Sequence, residues 1–391
     1  MQRLKVALLI ESSRAYGRGL LRGIGAYVRT HQSWSIFVTP HGLDEPLPEW
    51  IRSWKGDGIL ARVTDQAAAK MLLATKIPTI DLRGALADSG IPLVGLDSRA
   101  AAGLAFEHLR DRGFRHVAFC GVQPGAYRFL DQRAEEFEQL ARGAGCSFAS
   151  FMPEGGGRRA PTWDAAQRQL VRWVSQLTKP VGILACHDDR GVDLLNACLE
   201  AQIAVPDDVA VIGVDNDEVL CELSNPPLTS VNSNTEQIGY RAATLLDQLM
   251  AGEIELSGTT LVEPAGIVLR RSTDAMAVDD RAVAAAMQFI REHATSGINV
   301  EDVVHKSPLS RSTLERRFRS IFGHSPSDEI VRLRMERVKQ LLVETDYPLP
   351  RVADLAGFEH PEHMGALFRR KVGQTPGEYR KEQQQARLGR G

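Results

Sequence analysis

The first 260 residues alternate short apolar runs with longer amphipathic segments. Seven runs are rich in β-branched or other apolar residues and have the length of buried strands: KVALLI, SIFV, DGILA, PTIDL, HVAFCG, VGILAC and VAVIGV. The segments between them, such as 18–31, 99–113, 132–145, 162–177 and 190–202, place apolar residues at helical spacing. Strands that alternate with helices predict parallel sheets built from βαβ units. Because two such sheets fit within about 260 residues, we predict an α/β body with two lobes.

The end of the chain contains an internal repeat. Segment 309–326 matches segment 359–376 at a constant offset of 50 residues, with identical residues at Phe318 and Phe368, Arg319 and Arg369, Gly323 and Gly373, and Pro326 and Pro376. In each copy, apolar residues form one stripe of a helix, and small, polar or basic residues occupy the other side. A Gly and then a Pro follow each helix, which is how helices commonly end. We predict two copies of a unit made of a short helix, a turn and a second helix.

Charge is divided unevenly between the two parts of the chain. The formal net charge is −2, but residues 281–391 carry 19 Lys and Arg against 14 Asp and Glu, a balance of +5, whereas residues 1–280 carry −7. A basic segment attached to an acidic body indicates an anionic partner for the basic segment. Because a helix-turn-helix places its second helix in a major groove, we predict that this partner is DNA.

Cysteine usage and the amino terminus indicate the compartment. The five cysteines are odd in number, widely spaced and without a C-x-x-C pair, so the sequence predicts neither a disulfide framework nor a zinc knuckle. The first residues contain one short apolar run and no cleavage site, which is too little for a signal peptide or a membrane span. We therefore expect a cytoplasmic protein that does not interact with membranes.

Polar side chains follow several of the predicted strands. In open parallel sheets, ligands bind at the carboxyl ends of the strands. The residues at those positions are 11–14 (ESSR), Arg62, 187–190 (HDDR) and 215–217 (DND). Carboxylates together with Arg and Asn suit a sugar, because sugar hydroxyls both donate and accept hydrogen bonds. The alternative for any single residue is a capping or turn role; Asp189, for example, could cap the helix that follows it.

The body resembles a known family of sugar-responsive regulators. Segments 94–121 (VGLDSRAAAGLAFEHLRDRGFRHVAFCG) and 181–253 (VGILACHDDRGVDLL to LMAGE) are similar to the effector domain of LacI/GalR-type regulators and of periplasmic sugar-binding proteins. The resemblance runs from Lys5 to Leu269. It implies two Rossmann-like lobes, joined by crossing strands, that close on a monosaccharide.

The predicted sugar-binding residues come from the strand ends and from this resemblance. They are Arg14, Arg133, Asp188, Asp189, Asp215 and Asn232. The resemblance carries ligand contacts to Arg133, Asp188, Asp215 and Asn232. His187 stands where the family usually has Asn, and the neighbouring carboxylates of Asp188 and Asp189 leave open which one faces the ligand.

The tail resembles a second family. Segment 352–380 (VADLAGFEHPEHMGALFRRKVGQTPGEYR) is similar to the signature of the AraC/XylS regulators, and the resemblance covers 283–381. It implies base contacts at Ser312, Glu315 and Arg316 in the first helix-turn-helix motif and at Glu362, Gly365 and Ala366 in the second. Arginines that suit phosphate contacts are Arg317, Arg319, Arg369 and Arg370. Because Ala366 stands where many members of the family have Arg, we expect the second helix-turn-helix motif to read bases weakly, or to read them through shape and methyl contacts.

The pairing of these two domains resembles the xylose operon regulator family. We predict an α/β, two-lobed, periplasmic-binding-protein-like domain of type I over 1–272, a linker over 273–281, and an all-α domain with two helix-turn-helix motifs over 282–391. The resemblance implies a transcription activator of pentose catabolic genes that is switched by a monosaccharide such as D-xylose. It also implies a homodimer on repeated operator or promoter sites, with RNA polymerase as a further partner.

Two alternative functions have less support. The first is a metalloenzyme at His360, Glu362 and His363, but Pro361 leaves His360 outside the helix, and no H-E-x-x-H or cysteine pair completes a zinc site. We predict no metal. The second is a sugar carrier or a carbohydrate-processing α/β protein. The missing signal peptide disfavours the carrier, and the absence of G-x-S-x-G and of nucleotide fingerprints disfavours the enzyme, so we predict no catalytic residue and no cofactor.

Overall fold

The protein forms two compact units, Met1–Ala277 and Val278–Gly391. The structure is a computed structural model that describes residues 3–31, 34–38, 42, 45–153, 163–274 and 280–381. Residues 275–279, which make up most of the predicted linker, and residues 382–391 lie outside the described residues. Within the described ranges, no helix combines the length and the apolar composition that crossing a membrane requires.

Two six-stranded sheets form the first unit. The strands are β1 (Leu4–Leu9), β2 (Trp34–Val38), β3 (Gly58–Ala61), β4 (Thr79–Asp81), β5 (Leu93–Leu96), β6 (His116–Cys120), β7 (Ser147–Phe151), β8 (Val181–Ala185), β9 (Val209–Val214), β10 (Thr229–Asn232), β11 (Thr259–Val262) and β12 (Gly266–Val268). The first sheet has the order β11-β5-β4-β3-β1-β2, and its neighbours are parallel. The second has the order β12-β10-β9-β8-β6-β7, with β12 antiparallel to β10 and the other pairs parallel. The predicted two-lobed α/β fold is confirmed.

Helices cover the sheets of the first unit and build the second unit. In the first unit they are α1 (Ala15–His31), α2 (Gln66–Ala74), α3 (Ser98–Asp111), α4 (Arg128–Gly143), α5 (Trp163–Gln176), α6 (Asp188–Glu200), α7 (Glu218–Leu223) and α8 (Thr235–Met250). In the second unit they are α9 (Arg281–His293), α10 (Val300–Lys306), α11 (Arg311–Phe322), α12 (Pro326–Glu344), α13 (Leu349–Leu355) and α14 (Pro361–Val372). Central strands such as β8 and β9 are buried along their whole length, as parallel strands covered by helices on both faces should be.

All seven strands predicted from apolar runs are present, but the pattern missed five others: β5, β7, β10, β11 and β12. Two of these, β10 (TSVN) and β11 (TTLV), are short and partly polar, and β12 has three residues. The sequence of β7, SFASF, is mostly half-buried or exposed. The strands β7, β11 and β12 lie at sheet edges, where less side chain is buried and the apolar pattern is weak, whereas β5 and β10 lie inside the sheets but have only four residues each.

Three connections join the two lobes: β5 to β6 through α3, β10 to β11 through α8, and β11 to β12. The returning helix α8 packs against α1 of the first lobe with close backbone approach. A Cβ on Gly23 would lie 1.9 Å from the Glu236 carbonyl oxygen, and a Cβ on Gly239 would lie 2.2 Å from the Leu20 carbonyl oxygen. Glycine is therefore required at both positions, and the α1–α8 contact fixes the returning chain to the first lobe.

The predicted repeat in the tail is two helix-turn-helix motifs. Helix α11 and helix α14 start and end 50 residues apart, and the shorter helices α10 and α13 precede them. We call α11 and α14, the second helix of each motif, the recognition helices. Both end at a glycine in the left-handed region, Gly323 with φ 80° and Gly373 with φ 84°. The N–H of each glycine donates to the carbonyl four residues before it.

The repeat extends into the caps that follow each motif. At the start of α12, Ser325 Oγ accepts the Asp328 N–H at 3.2 Å, and the Asp328 carboxylate accepts the Ser325 N–H at 3.0 Å. The same reciprocal pair recurs 50 residues later, where the distances between Thr375 and Glu378 are 3.2 and 2.8 Å. Each pair satisfies two otherwise unpartnered N–H groups at a helix start.

Arg334 on α12 connects the two motifs. Its Nε donates to the Ala294 carbonyl at 2.8 Å and its Nη2 donates to the Ile298 carbonyl at 2.6 Å. Its guanidinium carbon lies 5.5 Å from the ring centroid of Phe358. A Cβ on Gly357 would lie 2.9 Å from the Ala294 oxygen, so the turn of the second motif packs directly on the segment that enters the first.

All five cysteines are buried and unpaired. They lie in strands, helices and loops of the first unit, and burial raises the pKa of each thiol. The structure contains no disulfide among these cysteines, in agreement with their spacing in the sequence.

Candidate functional site

A cavity of about 500 Å³ lies at the carboxyl ends of strands from both lobes. We call it the effector cavity. Three predicted sugar-binding residues line it: Arg14, Arg133 and Asp215. Asp188, Asp189 and Asn232 do not line it. The polar groups therefore separate into those that face the cavity and those that lie behind it.

Arg133 and Asp215 face the cavity from the second lobe. Arg133 lies on α4 with 2% of its surface exposed, and it donates to the Cys186 carbonyl and, at 3.4 Å, to Ser98 Oγ. Its Nε has no hydrogen-bond partner among the described residues. Burial raises the pKa of Asp215, and the positive charge of Arg133 opposes that shift. The pair supplies one donor and one acceptor of the kind that vicinal hydroxyls bind.

Asp188 supports the turn that carries Asp215. It is 2% exposed, accepts Ser230 Oγ at 2.6 Å and accepts the Asp217 N–H at 2.7 Å. The turn is strained, because Asp215 and Asn216 have φ values of 112° and 52°, in the left-handed region. Burial and the nearby Asp215 raise the pKa of Asp188 well above its usual range. Asp188 therefore acts on the cavity through the backbone.

Asp189 and Arg14 form an exposed pair that links strand ends of the two lobes. Arg14 Nη1 lies 3.1 Å from Asp189 Oδ2, and 43% of each side chain is exposed. Neither Asp189 nor Asp188 caps α6. The cap is His187, whose Nδ1 accepts the Arg190 N–H at 3.2 Å. Of the two neighbouring carboxylates, Asp188 is buried and supports the turn that carries Asp215, and Asp189 is exposed at the rim of the cavity.

Asn232 lines a different cavity from the one that Arg133 lines. Its Oδ1 accepts the Asn234 N–H at 2.9 Å. With Arg18, Asp217 and other residues it lines a second, polar cavity of about 440 Å³, to which Asp215 also contributes. Asp215 therefore separates two cavities, and Asn232 does not share the effector cavity with Arg133.

Residues beyond the six predicted sugar-binding residues also line the effector cavity or lie directly behind it, and two of them, Glu11 and Arg62, are at strand ends that the sequence analysis had named. Glu11 is buried and accepts from Arg62. The guanidinium carbon of Arg62 lies 5.0 Å from the Tyr16 ring centroid, and burial raises the pKa of Tyr16 to about 12. Arg83 is buried and lies 4.7 Å from the ring centroid of Tyr127. Arg83 follows β4, so the strand-end rule applied to that strand would have identified it.

The first recognition helix, α11, exposes most of its predicted DNA-binding residues. Ser312, Arg316, Arg317 and Arg319 are exposed and Glu315 is half-buried, while Leu314, Phe318 and Phe322 are buried. Two of the predicted contacts already have partners, because Glu315 accepts from Arg311 at 3.0 Å and Arg317 donates to Asp280 at 2.9 Å. Ser312, Arg316 and Arg319 form the more accessible part of this face.

The second recognition helix, α14, presents a smaller outer face. Glu362, Ala366, Arg369 and Arg370 are exposed, and Gly365 is half-buried. A Cβ on Gly365 would meet nothing within 4 Å. His360 occupies the N-cap position without a side-chain capping bond. In the part of the chain that the structure describes, no group of three His, Cys, Asp or Glu residues is placed to hold a metal ion.

Family models match three parts of the chain. They are described as an XylR N-terminal domain (residues 5–92), a periplasmic binding protein-like domain (106–273) and a helix-turn-helix domain (304–382). The transcription regulator CcpA of Lactococcus lactis shares the fold of the body, with a TM-score of 0.60, 21% identity and coverage of 70% of this chain and 100% of that chain.

Whole-length relatives identify the family. The chain is 32% identical to the xylose operon regulatory protein of Escherichia coli K12 over 97% of each chain. It is 31% identical to that of Haemophilus influenzae over 97% of this chain and 98% of the relative. The solved structure of the xylose-binding transcription activator xylR superposes with a TM-score of 0.62 at 30% identity, covering 97% of this chain and 98% of that one. The protein therefore belongs to the family of xylose operon regulatory proteins, which are sugar-responsive transcription regulators that bind DNA through a helix-turn-helix domain.

Proposed function

We propose that the effector is a pentose-type sugar, with D-xylose as the first candidate, and that it binds in the effector cavity. The observation that carries the proposal is the combination of buried Arg133 and half-buried Asp215, which both line the cavity from the second lobe. Arg14, Tyr16 and Arg62 line the same cavity from the first lobe. A sugar that contacts both sets is bound more tightly when the lobes are closed, so its binding shifts the population toward that state.

DNA binding is proposed to use both recognition helices. Arg316 reads guanine from α11, and Ser312 and Glu315 contribute further base contacts. Arg317, Arg319, Arg369 and Arg370 bind phosphates, and Glu362, Gly365 and Ala366 face the groove from α14. Support comes from the exposure of most of these residues opposite a buried apolar stripe. Because Gly365 and Ala366 carry no hydrogen-bonding side chain, shape and methyl contacts provide most of the readout by α14.

We further propose that the protein acts as a homodimer on repeated operator or promoter sites and activates pentose catabolic genes through contact with RNA polymerase. Support comes from the family, a solved member of which is named a transcription activator. Two motifs per chain reach successive major grooves about 10 base pairs apart. A nuclease footprint should therefore show two protected grooves for each chain.

The test of effector binding is a calorimetric titration of the full chain with D-xylose, other pentoses and hexoses. Asp215→Asn removes an acceptor that faces the cavity and should weaken sugar binding about tenfold to a hundredfold, the value of a charge-assisted hydrogen bond. Asp207→Asn is the matched control, because Asp207 is an exposed aspartate that precedes β9, at the end of that strand opposite Asp215, and does not line the cavity. Equal losses in the two variants, or unchanged binding by Asp215→Asn, would contradict the site.

A further inference from the structure

Residues 270–273, which follow β12 and precede the linker, are fastened to the second lobe by their side chains. Ser272 and Thr273 are fully buried. Ser272 Oγ donates to a backbone carbonyl of β9 at 2.6 Å and accepts the Thr229 N–H at 2.8 Å. Thr273 Oγ1 donates to Thr229 Oγ1 at 2.9 Å, and Arg112 Nε donates to the Thr273 carbonyl at 2.8 Å. The chain is therefore held in place just before it leaves the first unit.

Arg270 connects this segment to the turn that carries Asp215. Its Nη1 donates to the Asn216 side-chain oxygen and to the Leu228 carbonyl, each at 3.0 Å, and its Nε donates to Glu222 at 2.6 Å. The Arg270 side chain is 8% exposed, and Arg270 is not among the residues that line either cavity. One guanidinium group therefore joins the turn, helix α7 and the residue before β10 to the segment that leads to the linker.

The turn that Arg270 contacts is the part of the second lobe whose position a ligand would affect most directly. Asp215 lines the effector cavity, and its neighbour Asn216 accepts from Arg270. Both turn residues have left-handed backbone, which persists only where the surroundings hold it. A sugar bound to Asp215 adds fixed contacts to this turn and so narrows the range of positions that it samples. The position of the Asn216 side chain follows, because the two residues are adjacent.

After residues 275–279, Asp280 ties the chain to a recognition helix in the same way. Its carboxylate accepts the N–H groups of Ala282 and Val283 at 3.1 and 3.3 Å, which caps α9, and it accepts from Arg317 of α11 at 2.9 Å. Arg317 is one of the arginines proposed to bind phosphate. The two ends of the linker are thus each fixed by a side chain to a functional element of their own unit: the cavity-lining turn at one end and α11 at the other.

We propose that Arg270 is a positioning residue that couples the effector cavity to the linker. A sugar on Asp215 stabilises the turn, the turn holds the Asn216 oxygen against Arg270, and Arg270 keeps residues 270–273 closed on the second lobe for more of the time. The chain that leads to the DNA-binding unit then starts from a more firmly fixed point when the cavity is occupied. This inference rests on the proposed sugar-binding function and adds a route by which the sugar acts on the linker.

The test measures backbone hydrogen exchange of the full chain by mass spectrometry, with and without saturating D-xylose. The native protein is compared with Arg270→Met, which keeps an unbranched stem and removes three side-chain hydrogen bonds. In the native protein, D-xylose should slow the exchange of the peptide that contains residues 270–274 about fivefold or more, the lower end of ordinary coupling factors. In Arg270→Met the sugar should slow it less than about twofold. Calorimetry should show that D-xylose still binds this variant within about tenfold of the native affinity.

A merely structural role for Arg270 predicts a different result. The variant would then exchange faster both with and without D-xylose, and the sugar would slow exchange by the same factor as in the native protein. That outcome overturns the inference and leaves the sugar-binding function standing. A native chain that binds D-xylose without any slowing of this peptide overturns it as well. Absence of D-xylose binding by the folded native chain overturns the proposed effector and this coupling together.

Two further variants test the contact from its other side and control for the loss of charge. Asn216→Gly keeps the left-handed backbone, which glycine adopts readily, and removes the oxygen that accepts from Arg270. It should lose the slowing by D-xylose as Arg270→Met does. Arg271→Met is the matched control, because Arg271 is the exposed neighbour of Arg270 in the same peptide. It should respond to D-xylose as the native protein does, and urea unfolding of each variant verifies folding. Native slowing in Asn216→Gly would overturn the route through the turn.

Discussion

Asp188, which is buried, and Asp215, which is half-buried, show how two carboxylates of one site can have different roles. Asp215 lines the cavity, whereas Asp188 accepts hydrogen bonds from Ser230 and from the backbone N–H of Asp217. The left-handed backbone at 215 and 216 costs on the order of 1–3 kcal/mol per residue, so it persists only with such support. The geometry of the ligand-facing carboxylate therefore depends on a residue that does not line the cavity.

His187 provides a pH-dependent contribution to stability at the residue scale. Burial, followed by the positive charges of Arg14 and Arg190, lowers its pKa to about 3. Below a pH of about 6.5, this histidine binds a proton in the unfolded chain but not in the folded chain. The free energy of unfolding therefore falls as the pH is lowered from 6.5 toward 3. The slope from this group is at most about 1.4 kcal/mol per pH unit.

The variant His187→Asn isolates this contribution, because Asn retains a capping acceptor and cannot become charged. Urea unfolding at several pH values between 7.5 and 5 should show the native protein losing stability relative to the variant as the pH falls. The comparison removes the opposing effect of Asp188 and Asp215, whose raised pKa values are common to both proteins. A difference in unfolding free energy that does not change with pH would contradict the assignment.

The strand-end rule predicted where the ligand-facing groups lie but not how each is used. It placed Arg14 and Asp215 at the cavity because parallel strands end at one edge of a sheet. It could not separate Asp188 from Asp189, since that depends on which residue caps α6, and the cap is His187. The role of Arg83 depends on its stacking against Tyr127, a contact 44 positions away in the chain that no local pattern encodes.

At the scale of elements, the two recognition helices have one architecture and two chemistries. Helices α11 and α14 share length and ending glycine, as the repeat of the sequence predicted, and they also share a following capping pair that the compared segments did not include. Their outer faces differ, because α11 exposes Arg316 where α14 exposes Ala366. The contact between the motifs was not predictable, since Arg334 and Gly357 lie outside the repeated segments that were compared.

Arg334→Met should loosen the connection between the motifs. The change removes two part-buried hydrogen bonds from a charged donor to backbone carbonyls and should lower the unfolding free energy of the DNA-binding unit by about 2–4 kcal/mol. Binding to DNA that carries both groove sites should weaken more than binding to DNA with one. Lys339→Met, at an exposed position of the same helix, is the control. Similar effects of the two changes on two-site DNA would refute a connecting role.

At the scale of the whole molecule, one chain combines an acidic effector-binding unit with a basic DNA-binding unit. Regulation requires that the sugar alter DNA affinity, and thermodynamic linkage then fixes the reverse effect. The two-lobed fold and the paired readers follow from pattern, repeat and resemblance, because each uses long elements with strong periodicity. The identity of the sugar does not follow from pattern, since it depends on the volume and charge of a cavity assembled from distant segments.

The linkage gives a quantitative expectation for the full chain. If the effector tightens DNA binding by a given factor, bound DNA should tighten effector binding by the same factor, typically about 5-fold to 150-fold. Fluorescence anisotropy with labelled DNA and calorimetry with and without that DNA measure the two factors. DNA affinity should also fall steeply as salt rises, through counterion release. Unequal factors at one salt concentration would exclude a simple coupling of the two sites.

The burial of all five native cysteines makes the protein suited to site-selective labelling. Because their thiols are buried with raised pKa values, a maleimide dye should react slowly with the native chain. Cysteines introduced at exposed positions, such as Lys70 on α2 and Arg172 on α5, would then carry one fluorophore on each lobe. Energy transfer between the two dyes would report lobe closure directly in single molecules, with no need to remove a native cysteine first.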